Sequence, residues 1–200
     1  MLNYVIEWKM KKIALFASGN GTNVQRIAEY FKDRPDVTVS MVLTNNPKAG
    51  VLMRAEKLGL KTLIFSRDEF YHSSKIVNLL KELHVDLIVL AGFLWLLPEQ
   101  LITAFPDKII NLHPALLPKY GGKGMYGHHV HEAVIKNKET KSGITIHYVN
   151  VRYDEGQIIF QSSFGLTNDE TPESLAKKIH LQEHEHFPKV IERLLAKPDE

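Results

Sequence analysis

Two polar side chains lie one residue apart in Asn111-Leu112-His113-Pro114. Along an extended strand alternate side chains share a face, so Asn111 and His113 emerge together. An amide can donate to an oxygen that is gaining negative charge. An imidazole can move a proton or donate beside it. A lone histidine here reads more simply as a buried ring satisfied by a backbone carbonyl. The pairing with Asn111 is what points to chemistry. Asp154, followed by Glu155 and Gly156, adds a carboxylate. Asp and Gly are common in turns, so Asp154 matters only if its loop folds over His113.

A second constellation is Ser18-Gly19-Asn20-Gly21-Thr22-Asn23. It falls between an apolar run and an amphipathic segment. Glycines let the backbone approach a ligand, and a helix N-terminus offers free N–H groups and a positive dipole end, so phosphate is the natural partner. The dinucleotide version wants a third glycine and an acid about 20 residues on. This chain has Val24 and Thr44-Asn45-Asn46 instead, so a nicotinamide cofactor is disfavoured. The plainer alternative is a tight turn capped by Thr or Asn.

Ten histidines and no cysteine stand out in the 200 residues. Without cysteine there is no disulfide, thiolate zinc site or thiol nucleophile. His128, His129 and His131 with Glu132 lack a metal-ligand pattern and read as a solvated helix start. His180 and His184 share a helix face, with Glu183 near His180; hydrogen-bonding or surface histidines fit them better than a metal pair. Ala91–Leu97 is an aromatic-apolar stretch that suits core packing or the wall of a pocket for a flat heterocycle.

Elements must position these groups. Apolar or β-branched runs at Ile13–Ala17, Val37–Leu43, Lys61–Phe65, Asp86–Ala91 and Lys108–Asn111 read as strands. Helical spacing follows most of them: Val24, Ile27 and Phe31; a segment from Gly50 to Leu58 stopped by Gly59; and Ile76, Leu79, Leu80 and Leu83. Pro98 opens a short helix. His113–Gly127 has no period, with two prolines and four glycines. Helix returns over His128–Lys138. Alternation at Ile144, Ile146 and Tyr148, then Gln157–Phe164, predicts two antiparallel strands. Thr171-Pro172-Glu173 starts a last helix running to about Ala196, with a kink expected at Pro188. This order gives an α/β sheet, parallel for its first five strands, with ligands at the strands' carboxyl ends.

Lys+Arg 25 against Asp+Glu 23 leaves a net charge of +2, too balanced to indicate nucleic-acid binding. No run is long enough for a membrane span and the start is a poor signal peptide, so a cytoplasmic location is expected. Met10-Lys11-Lys12 resembles a second start, making residues 1–9 an expected appendage to one domain covering 1–200.

SGNGTN after strand one, LAGF after strand four, NLHPALLPKYGG after strand five and HYVNVRYDEGQII occur in that order. Together they resemble the folate-dependent formyltransferases over residues 11–196. The resemblance implies a Rossmann-like formyltransferase fold, a mostly parallel sheet of about seven strands flanked by helices. It implies formyl transfer from 10-formyltetrahydrofolate, as cosubstrate, with no metal required. SGNGTN and the length favour the purine-biosynthetic branch, whose acceptor is glycinamide ribonucleotide. Another amine, such as an amino sugar or methionyl-tRNA, and hydrolysis of the formyl-folate are the alternatives. The implied catalytic residues are Asn111, His113 and Asp154. Gly21, Thr22, Asn23 and Glu183 would bind the ribonucleotide. Arg67, Leu94, Trp95, Leu96, Leu97 and Asn111 would bind folate, and His147 would neighbour the site. Trp95 stands where some members have Arg, and the 121–127 loop is longer than in some members. Small-molecule partners are implied, and monomer and homodimer are both left open. In this reading Asn111 and a His113 N–H stabilise the oxyanion. Asp154 moves protons through water and favours a charged His113.

Overall fold

The computed structural model describes residues 10–196; the expected appendage at 1–9 lies outside the described residues. The first apolar run becomes β1 (Lys11–Phe16). Its alternate residues feed two different cores. Ile13 and Leu15 join one buried cluster, with Val24, Ile27 and Phe187. Ala14 and Phe16 join the other, with Phe70, Ile76 and Leu101. A strand covered on both faces has no polar side, which is why it reads as a continuous apolar run.

The chain continues through α1 (Thr22–Phe31), β2 (Val37–Thr44), α2 (Gly50–Lys57), β3 (Thr62–Ile64), α3 (Arg67–Tyr71) and α4 (Lys75–Glu82). Then come β4 (Leu87–Leu90), α5 (Glu99–Ala104), β5 (Ile109–His113), α6 (His128–Lys136), β6 (Lys141–Tyr148), β7 (Ile158–Gly165) and α7 (Pro172–Leu195). The seven strands lie in the order β3-β2-β1-β4-β5-β6-β7. β1 to β5 run parallel, and β6 and β7 are antiparallel additions. The chain winds outward from β1 to β3, then returns to place β4 on the other side of β1. Loops leaving β1 and β4 therefore diverge and open a crevice at the carboxyl ends.

Two details depart from or extend the sequence reading. α3 was not foreseen; it is a five-residue helix held by a capping box between Ser66 and Glu69. α7 runs uninterrupted through Pro188. Proline there lacks the N–H that would reach the carbonyl of His184. Arg26 Nε, from α1, donates to that carbonyl instead at 3.2 Å.

Candidate active site

β5 ends on the catalytic candidates. Asn111 pairs across the sheet with His147 and His113 with Thr145. Thr145 is buried and its hydroxyl is fully used. It donates to the Ala115 carbonyl at 2.7 Å and accepts from Leu117 N–H at 3.0 Å and Gln161 Nε2 at 2.9 Å. That anchors the aperiodic loop after β5 and turns Tyr120 back toward the strand. The Tyr120 carbonyl lies 2.7 Å from His113 Nε2. A carbonyl only accepts, so Nε2 carries the proton and the neutral ring keeps its lone pair on Nδ1. Both readings of His113 hold together: the ring is buried and satisfied by backbone, and its other nitrogen faces the site.

The Asp154 loop does fold over His113. Asp154 Oδ2 lies 3.6 Å from His113 Nδ1 and accepts the Gly122 N–H at 2.9 Å. Its Oδ1 is 3.4 Å from Asn111 Nδ2 and 3.6 Å from His147 Nε2. Asn111 Nδ2 also lies 3.1 Å from His147 Nε2, while His147 Nδ1 donates to the Tyr148 carbonyl at 2.8 Å. Asn111, His113, His147 and Asp154 thus form one connected group. Gly156 makes the turn possible, since a Cβ there would sit 1.6 Å from the Tyr148 carbonyl oxygen.

The same cavity, of 630 Å³, reaches the loop after β1. Gly21 caps α1 at φ 73° with no side-chain cap, so Thr or Asn capping does not occur. The first-turn N–H groups are left for a ligand. A Cβ on Gly21 would come 2.4 Å from Val51 Cγ2. Asn23 Nδ2 donates to Glu183 Oε2 at 2.9 Å, and His180 Nδ1 lies 3.0 Å from the same oxygen. Leu94, Trp95, Leu96 and Leu97 wall a third side.

The sequence model of the family described as formyl transferase matches residues 11–191. The chain belongs to this formyl transferase family. It is 40% identical over 191 residues to the chloroplastic phosphoribosylglycinamide formyltransferase of Arabidopsis thaliana, covering 92% of this chain and 65% of that protein. It is 35% identical over 191 residues to the phosphoribosylglycinamide formyltransferase of Bacillus subtilis, covering 93% of this chain and 95% of that one. The chain thus spans just under two thirds of the plant relative and nearly all of the bacterial one. The phosphoribosylglycinamide formyltransferase structure from Streptococcus pneumoniae superposes with a TM-score of 0.82 at 35% identity, over 94% of this chain and all of that one (100%).

Within this formyl transferase fold most of the expected site residues line the one cavity. Arg67 does not. Its guanidinium stacks 5.0 Å from the Tyr71 ring and 5.6 Å from the Trp95 ring, so it meets the cavity wall through Trp95. Of the crowded histidines, His128 and His129 are exposed beside Glu132, as a solvated helix start requires. His131 is different. It is 4% exposed and lines the cavity. The sequence reading missed it, because the i, i+3 spacing put it on one face with exposed His128. Among the described residues no cluster of three or more acidic or histidine side chains could hold a metal ion. No helix among them is long and apolar enough to cross a membrane.

Electrostatics revises one expectation. Burial lowers the His113 pKa, and the Asp154 carboxylate pulls it up without cancelling that effect. Asp154 favours a charged ring, as expected, but desolvation wins and His113 rests neutral. Burial pushes the Asp154 carboxyl up, yet the neighbouring His147 and His113 rings and the Gly122 N–H bring it below its usual value. At rest, therefore, His113 Nδ1 and Asp154 both act as proton acceptors.

Proposed function

We propose that this chain transfers the formyl group of 10-formyltetrahydrofolate to the amine of glycinamide ribonucleotide, a step of purine biosynthesis. The observation that carries the reading is one cavity with two ends. One end is the uncapped N-terminus of α1 at Gly21, suited to a phosphate. The other is Asp154, with Asn111 at 3.4 Å from one of its oxygens and His113 at 3.6 Å from the other. The relatives, named as phosphoribosylglycinamide formyltransferases, support the same acceptor. The apolar wall Leu94–Leu97 fits a flat heterocycle, and the cavity volume suits small molecules. Bound there, the formyl-folate supplies an electrophilic carbon.

The chain's own residues then have defined tasks. Gly21, Thr22 and Asn23 hold the phosphate by backbone N–H groups, and Asn23 also fixes Glu183. His113 Nδ1 and Asp154 take the proton that the attacking amine sheds. Nδ1 then carries a donor whose charge Asp154 stabilises, and it returns the proton to the departing nitrogen. Asn111 Nδ2 gives up its long 3.4 Å contact with Asp154 to donate to the formyl oxygen as charge develops. His113 is thus a base before it is a donor, whereas the sequence reading gave it a donor's role from the start.

The test is a product assay with 10-formyltetrahydrofolate and glycinamide ribonucleotide. Formylated ribonucleotide should accumulate in step with loss of formyl-folate, with no loss when the ribonucleotide is omitted. Loss without the ribonucleotide identifies a hydrolase instead. Turnover only with an amino sugar identifies another acceptor.

A further inference from the structure

His131 is a buried titratable group that the mechanism above does not use. It lies on α6, and its Nδ1 is sealed from solvent with no hydrogen-bond partner. A buried polar atom left unpaired is costly, so a side chain kept in that state invites a functional reason. The ring lines the cavity, which leaves Nε2 as the nitrogen able to meet a ligand. The groups that act on it are Glu183 and His180 from α7, His128 from its own helix and His113 from β5.

Glu183 narrows the ligand's chemistry. It is 6% exposed and lines the same cavity. Asn23 and His180 both bind its Oε2, so its Oε1 is the oxygen left for a ligand. A carboxylate repels phosphate. A neutral imidazole beside it has one donor and one acceptor nitrogen. The group that satisfies a carboxylate oxygen and a neutral ring together is a hydroxyl, or a pair of them. In a ribonucleotide the sugar lies between the phosphate and the amine. Asn23 ties Glu183 to the phosphate end, and Glu183 and His131 line the same cavity as His113 at the other.

We propose that His131 is a specificity-determining residue that hydrogen-bonds a ribose hydroxyl of the acceptor beside Glu183. This rests on the acceptor assigned under Proposed function. The experiment is steady-state kinetics of wild type, His131→Leu and His131→Gln with glycinamide ribonucleotide and with its 2′,3′-dideoxyribose analogue. His131→Leu should raise KM for the ribonucleotide about three- to tenfold, leaving kcat and the KM for 10-formyltetrahydrofolate near wild type. His131→Gln, with a polar group near the Nε2 position, should recover part of the loss. With the dideoxy analogue the three proteins should have equal KM. Thermal melts confirm that the variants are folded; if His131→Leu is not, the His131→Gln comparison on the two substrates decides. An unchanged KM, an equal penalty on the dideoxy analogue or a fall confined to kcat overturns the role of His131. If wild type does not formylate the ribonucleotide at all, the assigned acceptor is wrong instead.

Discussion

At the scale of single residues, the site is defined by which nitrogen holds a proton. The Tyr120 carbonyl fixes the His113 proton on Nε2, and burial keeps the ring neutral. In the proposed mechanism the neutral ring is the acting form, so protonating it in the free enzyme would remove the proton acceptor. Because the His113 pKa is lowered, this loss sets in below the ordinary histidine value of 6.5. The acidic limb of kcat/KM should therefore fall with an apparent pKa under 6.5, as read from a pH–rate profile. A rate that rises as pH drops through that range would mean that the imidazolium is the starting form. None of this was legible in Asn111-Leu112-His113. The spacing places both side chains on one face. The proton's position depends on Tyr120, seven residues on, and on a turn held by Thr145.

At the scale of elements, the turn after β6 carries Asp154 into place, and Gly156 is its most constrained position. Gly156→Ala would force a Cβ to 1.6 Å from the Tyr148 carbonyl oxygen and crowd His147 Nδ1 at 3.4 Å. The turn must shift, taking Asp154 with it. Thermal or urea unfolding should show a loss of about 3 kcal/mol or more, and kcat should fall together with stability. An alanine variant of wild-type stability and rate would show that the turn is more tolerant than its geometry implies. Most elements were legible because each strand's texture reports its cover. β1 is apolar from Ile13 onward because Ile13 and Ala14 enter different cores. α3 was not, since five residues are too few for a period, though the Ser66…Glu69 capping box was there to be read. His131 escaped for a different reason. His128 opens α6 at the solvent end, and one turn on the same face meets the cavity. Only the packing of α6 against its neighbours distinguishes the two.

At the scale of the whole molecule, the cavity leaves a mark on stability. Burial lowers the His131 pKa to about 4, offset only in part by Glu183. The unfolded chain binds this proton near 6.5 and the folded chain near 4, so the contribution is full above 6.5 and disappears as pH falls to about 4. The shift corresponds to about 3 kcal/mol, and the lowered His113 pKa acts in the same direction. Urea unfolding across pH 7 to 4 should show wild type losing stability steeply, and His131→Gln should flatten that slope. Equal slopes would mean that His131 titrates normally in the folded chain. The balanced charge of the sequence, at +2, agrees with this picture. An anionic substrate held, as proposed, by local N–H groups at α1 would need no basic surface.

The central claim is that Asn111, His113 and Asp154 perform the formyl transfer. The most direct measurement is kcat and KM for glycinamide ribonucleotide and 10-formyltetrahydrofolate in Asn111→Ala and His113→Ala, each checked for folding. Removing one well-placed donor or proton carrier costs about 10²–10³ in rate. Both variants should lose that much in kcat while their KM values stay near wild type. A folded variant that turns over at close to the wild-type rate would contradict the account.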